Sequence, residues 1–162
     1  MLIEHGSDPK SDEGPTPVYG SGTGSFKTCM EYKEGPTVLL GRKGTIDCPQ
    51  YIEGRYWNVD TAFNVAKTWG VLLKFYYYLS LCFTFDKYAT KTTLPSMTQS
   101  DYLNMFLPVP PLNEQEAIVL YLEQRTEDID RAILQVEIEI SKLSEYRSSI
   151  TYECVTGKKR IR

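Results

Sequence analysis

Three short runs of this sequence carry residue types suited to holding phosphate or reading base edges. The first, "PVYGSGTGSF" at 17–26, sets Gly20, Gly22 and Gly24 among Ser21, Thr23 and Ser25, with Lys27 next in line. Glycine lets backbone approach a ligand closely, while hydroxyl and ammonium groups donate to phosphate oxygens. The second, "LLGRKGTI" at 39–46, places Arg42 and Lys43 between two glycines. A guanidinium matches the paired acceptors of guanine in the major groove, and lysine neutralises phosphate. The third, "KYATKTTLPS" at 87–96, offers Lys87, Lys91, Thr92 and Thr93 ahead of a proline turn. Threonine presents both a methyl and a hydroxyl to base edges.

Each run also has a plainer reading: a glycine corner between strands, two exposed cations on a turn, and an ordinary threonine-rich loop. The glycines are spaced G-x-G-x-G, not G-x-G-x-x-G, and no helical period follows them. No G-K-[ST] occurs either, so a nucleotide-cofactor loop is not the reading. The first run is predicted to be a strand corner that also touches DNA. No catalytic set accompanies these runs. His5 is the only histidine and has no Ser, Cys or Asp partner in a recognisable pattern. Asp128 and Asp130 fall in a helical stretch, where they face solvent or a partner. Cys29, Cys48, Cys82 and Cys154 form no C-x-x-C pair, so no metal site is expected. Cys82 and Cys154 sit in apolar patterns and are expected to be buried thiols in a reducing cytosol.

These runs need a scaffold, and the rest of the chain supplies one. It has 162 residues, 41% hydrophobic and 24% charged, which suits one folded domain plus an appendage. The formal net charge of −3 makes no general demand for a polyanion, so DNA contact requires local cations. Residues 1–16 read as a flexible polar leader. Residues 17–111 read as a mixed α/β domain: "TVLLG" at 37–41 is a buried strand, and "YWNVDTAFNVA" at 56–66 is another. "WGVLLKFYYYLSLCFTF" at 69–85 is apolar but interrupted by Lys74 and barely long enough to span a membrane. Val71, Leu72, Phe75, Leu79 and Cys82 suit a buried helix over 69–82 instead. "DYLNMFLPVP" at 101–110 reads as extended. No secretion signal opens the chain, and a cytoplasmic protein is expected.

At "LPVPPLNEQ" the character changes. Asn113 and Glu116 have the spacing of a capping box. Leu122, Thr126, Ile129, Ile133, Val136, Ile140, Leu143, Arg147, Ile150 and Cys154 then alternate at four and three residues. That is a heptad seam with two polar members, over a helix spanning 112–154, and it asks for a second long helix. The partner is another chain or another copy, because no other stretch here is long enough. Residues 155–162 form a basic tail, either solvated or in contact with a nucleic acid or an acidic partner surface.

Over its last third the chain resembles the specificity subunit of type I restriction–modification systems. The family's "PLPPL-x-EQ" opening, "ID" pair, "L-x-EYR-x-SLI" run and "VTGK" exit correspond to Pro108–Gln115, Ile129–Asp130, Leu143–Ile150 and Val155–Lys158. More loosely, "PVYGSGT", "VLLGRKGTI" and "KTTLPSMTQSDYLNMFLPVPP" are similar to its target recognition domain. The resemblance implies an α+β recognition domain followed by a long coiled-coil-type helix, reading half of a bipartite DNA target. It implies docking of a methyltransferase subunit through the helix, with Glu114 and Gln115 at its opening, and association with a restriction/translocase subunit. It implies S-adenosylmethionine on the methyltransferase and no cofactor on this chain, which lacks an N-P-P-Y or D-P-P-Y motif. The family's subunits usually carry two recognition domains and two long helices, and one of each is read here. A natural half-subunit that pairs with itself or another half, and a truncated remnant, are both open. So is a coiled-coil assembly or decoy protein that binds partners without reading DNA.

Overall fold

Strand β5 (Thr37–Gly41) is buried along its whole length, and the rest of the domain is arranged around it. The computed structural model describes residues 1–90 and 93–160. Val38 and Leu40 face one core with Ile3, Phe63, Val65, Tyr76, Met97 and Tyr102. Leu39 faces the other way, onto Ile52 and Tyr56. A strand covered on both faces reads as an unbroken apolar run, which is why "TVLLG" is legible as buried.

Two four-stranded sheets result. In the first, β1 (Leu2–His5), β8 (Ala62–Lys67), β5 and β6 (Gln50–Ile52) lie in that order, all antiparallel. In the second, β3 (Ser25–Cys29), β2 (Thr16–Tyr19), β7 (Arg55–Asn58) and β4 (Lys33–Glu34) lie in that order, with β2 and β7 parallel. Tyr56 of β7 packs under Leu39, and Lys33 donates to both Asn58 Oδ1 and Asn64 Oδ1 at 2.8 Å, joining the two sheets. Burial holds the Lys33 ammonium below its ordinary pKa. Helix α1 (Leu73–Ser80) and helix α2 (Gln99–Leu103) cover the other face of the first sheet with Tyr76 and Tyr102.

Several expectations change here. Residues 1–16 are not a flexible leader: Ile3 is 2% exposed and β1 pairs with β8. The segment behind β1 is tied down as well. Ser11 Oγ and Lys10 N donate to the Glu31 carboxylate, and Met30 N donates to Ser11 Oγ at 2.7 Å. The Ser11 hydroxyl leads in holding the Glu31 carboxyl below its usual range. The 56–66 run is two strands in two different sheets, because Val59–Thr61 turns between them. The apolar 69–82 stretch is helical only over Leu73–Ser80, and its buried residues are Phe75, Tyr76 and Ser80. Asp101–Leu103 is helical rather than extended, because Thr98 and Asp101 form a reciprocal capping box. Cys82 is exposed and Cys154 half-buried; the buried thiol is Cys29, which burial pushes above its ordinary pKa.

The chain divides into two compact units, residues 1–119 and 120–162. Helix α3 (Leu112–Val155) has 44 residues, about 66 Å at 1.5 Å per residue. It starts before Asn113, which therefore lies inside the helix and is not its cap; Glu114 N and Gln115 N donate to Pro111 O. Gly157, at φ +73°, follows its C-terminal end in the left-handed conformation glycine favours there. No described helix is long and apolar enough to cross a membrane.

Candidate nucleic-acid interface

The "PVYGSGTGSF" run is a strand corner. β2 and β3 pair antiparallel, and residues 20–24 turn between them. Gly24 needs its glycine, with φ +74°. Gly20 needs it for space, since a Cβ there would come within 2.9 Å of Thr61 Oγ1. Ser21 is half-buried, and Thr23 and Ser25 are exposed.

The corner at Val59–Thr61 draws the predicted runs together. Thr61 Oγ1 accepts from Ser21 N at 3.3 Å. Thr61 O accepts from Arg42 N at 2.7 Å and Lys43 N at 3.3 Å. One residue thus holds both the glycine turn and the Arg42–Gly44 loop. The third run joins through its end: Gly44 N donates to Pro95 O at 2.9 Å, Met97 N donates to Arg42 O at 2.9 Å, and Lys43 bridges to Ser96. Thr90 and Ser96 close the base of that last loop. Thr93 is exposed on it, while Lys91 and Thr92 lie outside the described residues. Three segments far apart in sequence are therefore one surface.

Two of the cations predicted for this surface are paired with carboxylates. Arg42 Nη1 donates to Asp60 Oδ2 at 2.7 Å and to Asp60 O at 3.0 Å. Lys27, on β3, sits 3.6 Å from Asp12. Lys43 is exposed. Such a surface favours hydrogen-bond recognition over nonspecific attraction to phosphate, which scales with the cations committed to it.

Sequence reasoning does not find Gln50, Asp60 or Thr61. Gln50, half-buried at the start of β6, donates from Nε2 to Gly20 O at 3.0 Å and Gly22 O at 2.7 Å. Its Oε1 accepts from Gly24 N at 2.9 Å. Nothing in "CPQYIEG" announces this, because the partners lie 26 to 30 residues away.

The two residues expected to dock a partner subunit separate. Glu114 is exposed. Gln115 is fully buried and bonds inside its own unit: Oε1 accepts from Leu72 N at 2.8 Å, and Nε2 donates to Gly70 O at 3.0 Å and Pro110 O at 2.8 Å. It is an internal staple and not a docking contact. The seam residues behave oppositely. Ile129, Ile133, Val136, Ile140 and Leu143 are all more than half exposed, and Leu122 and Ile150 are half-buried. Thr126, one of the two polar seam members, turns its hydroxyl back onto Leu122 O at 2.9 Å.

No group of three metal-ligating side chains occurs among the described residues. A two-sheet α+β domain with an assembled loop surface, followed by a long helix with an exposed apolar seam, defines the class of chain. The family model of the type I restriction modification DNA specificity domain matches residues 6–139, and the chain belongs to that family. Solved structures share the fold. An S subunit of the type I restriction-modification system from M. genitalium superposes with a TM-score of 0.66 at 17% identity, over 90% of this chain and 41% of that one. A chain from a structure addressing complex assembly and conformational transition of the type I R-M system gives 0.67 at 23% identity, over 87% and 40%. The HsdS subunit from Thermoanaerobacter tengcongensis gives 0.60 at 20% identity, over 79% and 35%. The chain thus spans about two fifths of the length of the first two. No curated protein matches it in sequence.

Proposed function

We propose that this chain is a non-catalytic DNA-recognition subunit of a type I restriction–modification complex, working in the cytoplasm. The loop surface around Thr61 reads one half of a bipartite target. Helix α3 pairs with a second long helix, from another copy or another specificity half, and docks a methyltransferase subunit. That subunit carries S-adenosylmethionine, and a restriction/translocase subunit completes the assembly. The observation that carries this reading is the gathering of the glycine turn, the Arg42–Gly44 loop and the Pro95–Ser96 segment into one surface, in a chain of the specificity family.

The pairing of Arg42 with Asp60 and of Lys27 with Asp12 favours one alternative: an assembly or decoy subunit that joins partners without reading DNA. Alanine substitution of Lys43 and Thr23 together separates the two. Both side chains are exposed, so the fold is retained. On the recognition reading, affinity for the methylated target falls about tenfold or more, the worth of one or two polar contacts, while self-association is unchanged. Co-expression with a methyltransferase subunit, followed by genome-wide mapping of methylated adenines, identifies that target. A palindromic bipartite motif corresponds to two identical halves, since protein symmetry is mirrored in the site. An intact complex that methylates no defined motif would establish the decoy reading instead.

A further inference from the structure

We propose that Gln50 is a specificity-determining positioning residue: its carboxamide holds the glycine turn in the single shape with which that turn reads DNA. This rests on the recognition reading above. The turn has little else to hold it. A Cβ built on Gly22 or Gly24 would meet nothing within 4 Å, so no packing confines either residue. Ser21 N is tied to Thr61 Oγ1, at a long 3.3 Å. Three glycines in five residues leave the backbone wide conformational freedom unless hydrogen bonds remove it.

Gln50 supplies three such bonds from one side chain. Two donors meet Gly20 O and Gly22 O, and one acceptor meets Gly24 N. The pattern is that of a primary carboxamide with both ends engaged. A carboxylate in its place would set negative oxygen against two carbonyls, and a thioether would make none of the bonds. Gln50 itself is anchored, because β6 pairs with β5 through Leu39↔Gln50. The clamp therefore runs from the doubly buried central strand to the tip carrying Ser21 and Thr23.

Base readout by hydrogen bonding depends on donor and acceptor position, whereas phosphate attraction does not. Loosening the turn should therefore remove discrimination and spare general affinity. The test uses the full chain. Wild-type protein first selects a preferred sequence from a randomised duplex library, and affinities for the selected and a scrambled duplex are then compared across variants. Gln50→Met, close to glutamine in length and uncharged, is expected to keep the wild-type melting profile and scrambled-DNA affinity within about twofold. Its selected-to-scrambled ratio should fall about tenfold, the scale of one polar interaction. Without DNA, amide exchange at Gly24 should quicken about tenfold in Gln50→Met for the same reason. A wild-type ratio and wild-type Gly24 exchange in Gln50→Met would overturn the positioning role while leaving DNA recognition in place. Failure of the wild-type chain to enrich any sequence would overturn the recognition reading, and this inference with it.

Discussion

Tyr102 and Tyr76 are two buried phenols on opposite sides of the hydrogen-bond rule. Tyr102 Oη donates to Gly41 O at 2.7 Å, one residue before Arg42. The Tyr76 hydroxyl has no hydrogen-bond partner among the described residues, and burial drives the pKa of both phenols upward. Tyr102→Phe should therefore lower stability by about 1–2 kcal/mol, because it strands a buried carbonyl. Tyr76→Phe should leave stability unchanged or raise it, because it removes a buried polar atom that bonds to nothing. Urea unfolding of the two variants, read side by side, checks both signs. The cysteines carry a related lesson. Cys82 lies in an apolar run but past the end of α1, where it is exposed, while Cys29 lies in a polar run but ends β3 facing Val18 and Val59. Burial of one residue is set by the face it falls on, which a local apolar count does not give.

At the scale of elements, legibility tracks how local the cause is. β5 and α3 are readable because their signals lie within the element: an unbroken apolar run and a sustained heptad. The Thr98–Asp101 capping box is equally local, yet it is hidden by the apolar residues around it. Other features escape because their causes lie far away in sequence. Strand β1 buries only Ile3 of its four residues and is a strand because β8 accepts it. Gln115 sits in a motif that signals an association surface, and it serves an internal one. The N-cap residue of α1, Leu72, has no capping side chain, and Gln115 Oε1 takes its N–H from 43 residues away. Gln115→Ala removes the partner of that N–H and of two part-buried carbonyls, and empties the space of a fully buried side chain. It should cost about 3 kcal/mol and lower the melting temperature of unit 1 by several degrees, whereas Glu114→Ala should leave both unchanged. Thermal unfolding followed by near-ultraviolet circular dichroism, which reports the domain's aromatic core, distinguishes them.

For the molecule as a whole, the exposed seam sets the expected state in solution. Its residues Ile129, Ile133, Val136, Ile140 and Leu143 are each more than half exposed. A stripe of this length is stable in water when paired with another helix. Ile133→Asp combined with Ile140→Asp should convert a paired species into one of monomer mass on analytical ultracentrifugation. The domain's melting transition should be unaffected, because neither residue belongs to unit 1. Inserting seven residues near Ile133 preserves the seam and adds about 10 Å of helix. On the recognition reading it should lengthen the unread gap of the DNA target, which methylation mapping of the insertion variant measures.

The division of labour around Thr61 has a consequence for inheritance. Thr23, Lys43 and Thr93 are exposed side chains on turns, while the structure beneath them resides in β5, Thr61 and Gln50. Exchanging an exposed turn residue typically changes stability by less than about 0.5 kcal/mol, whereas a change in β5 removes buried contacts. Mutation can therefore rewrite the tips one letter at a time without passing through unfolded ancestors. On the recognition reading, a lineage of such chains can diversify what it meets on DNA while inheriting its framework intact.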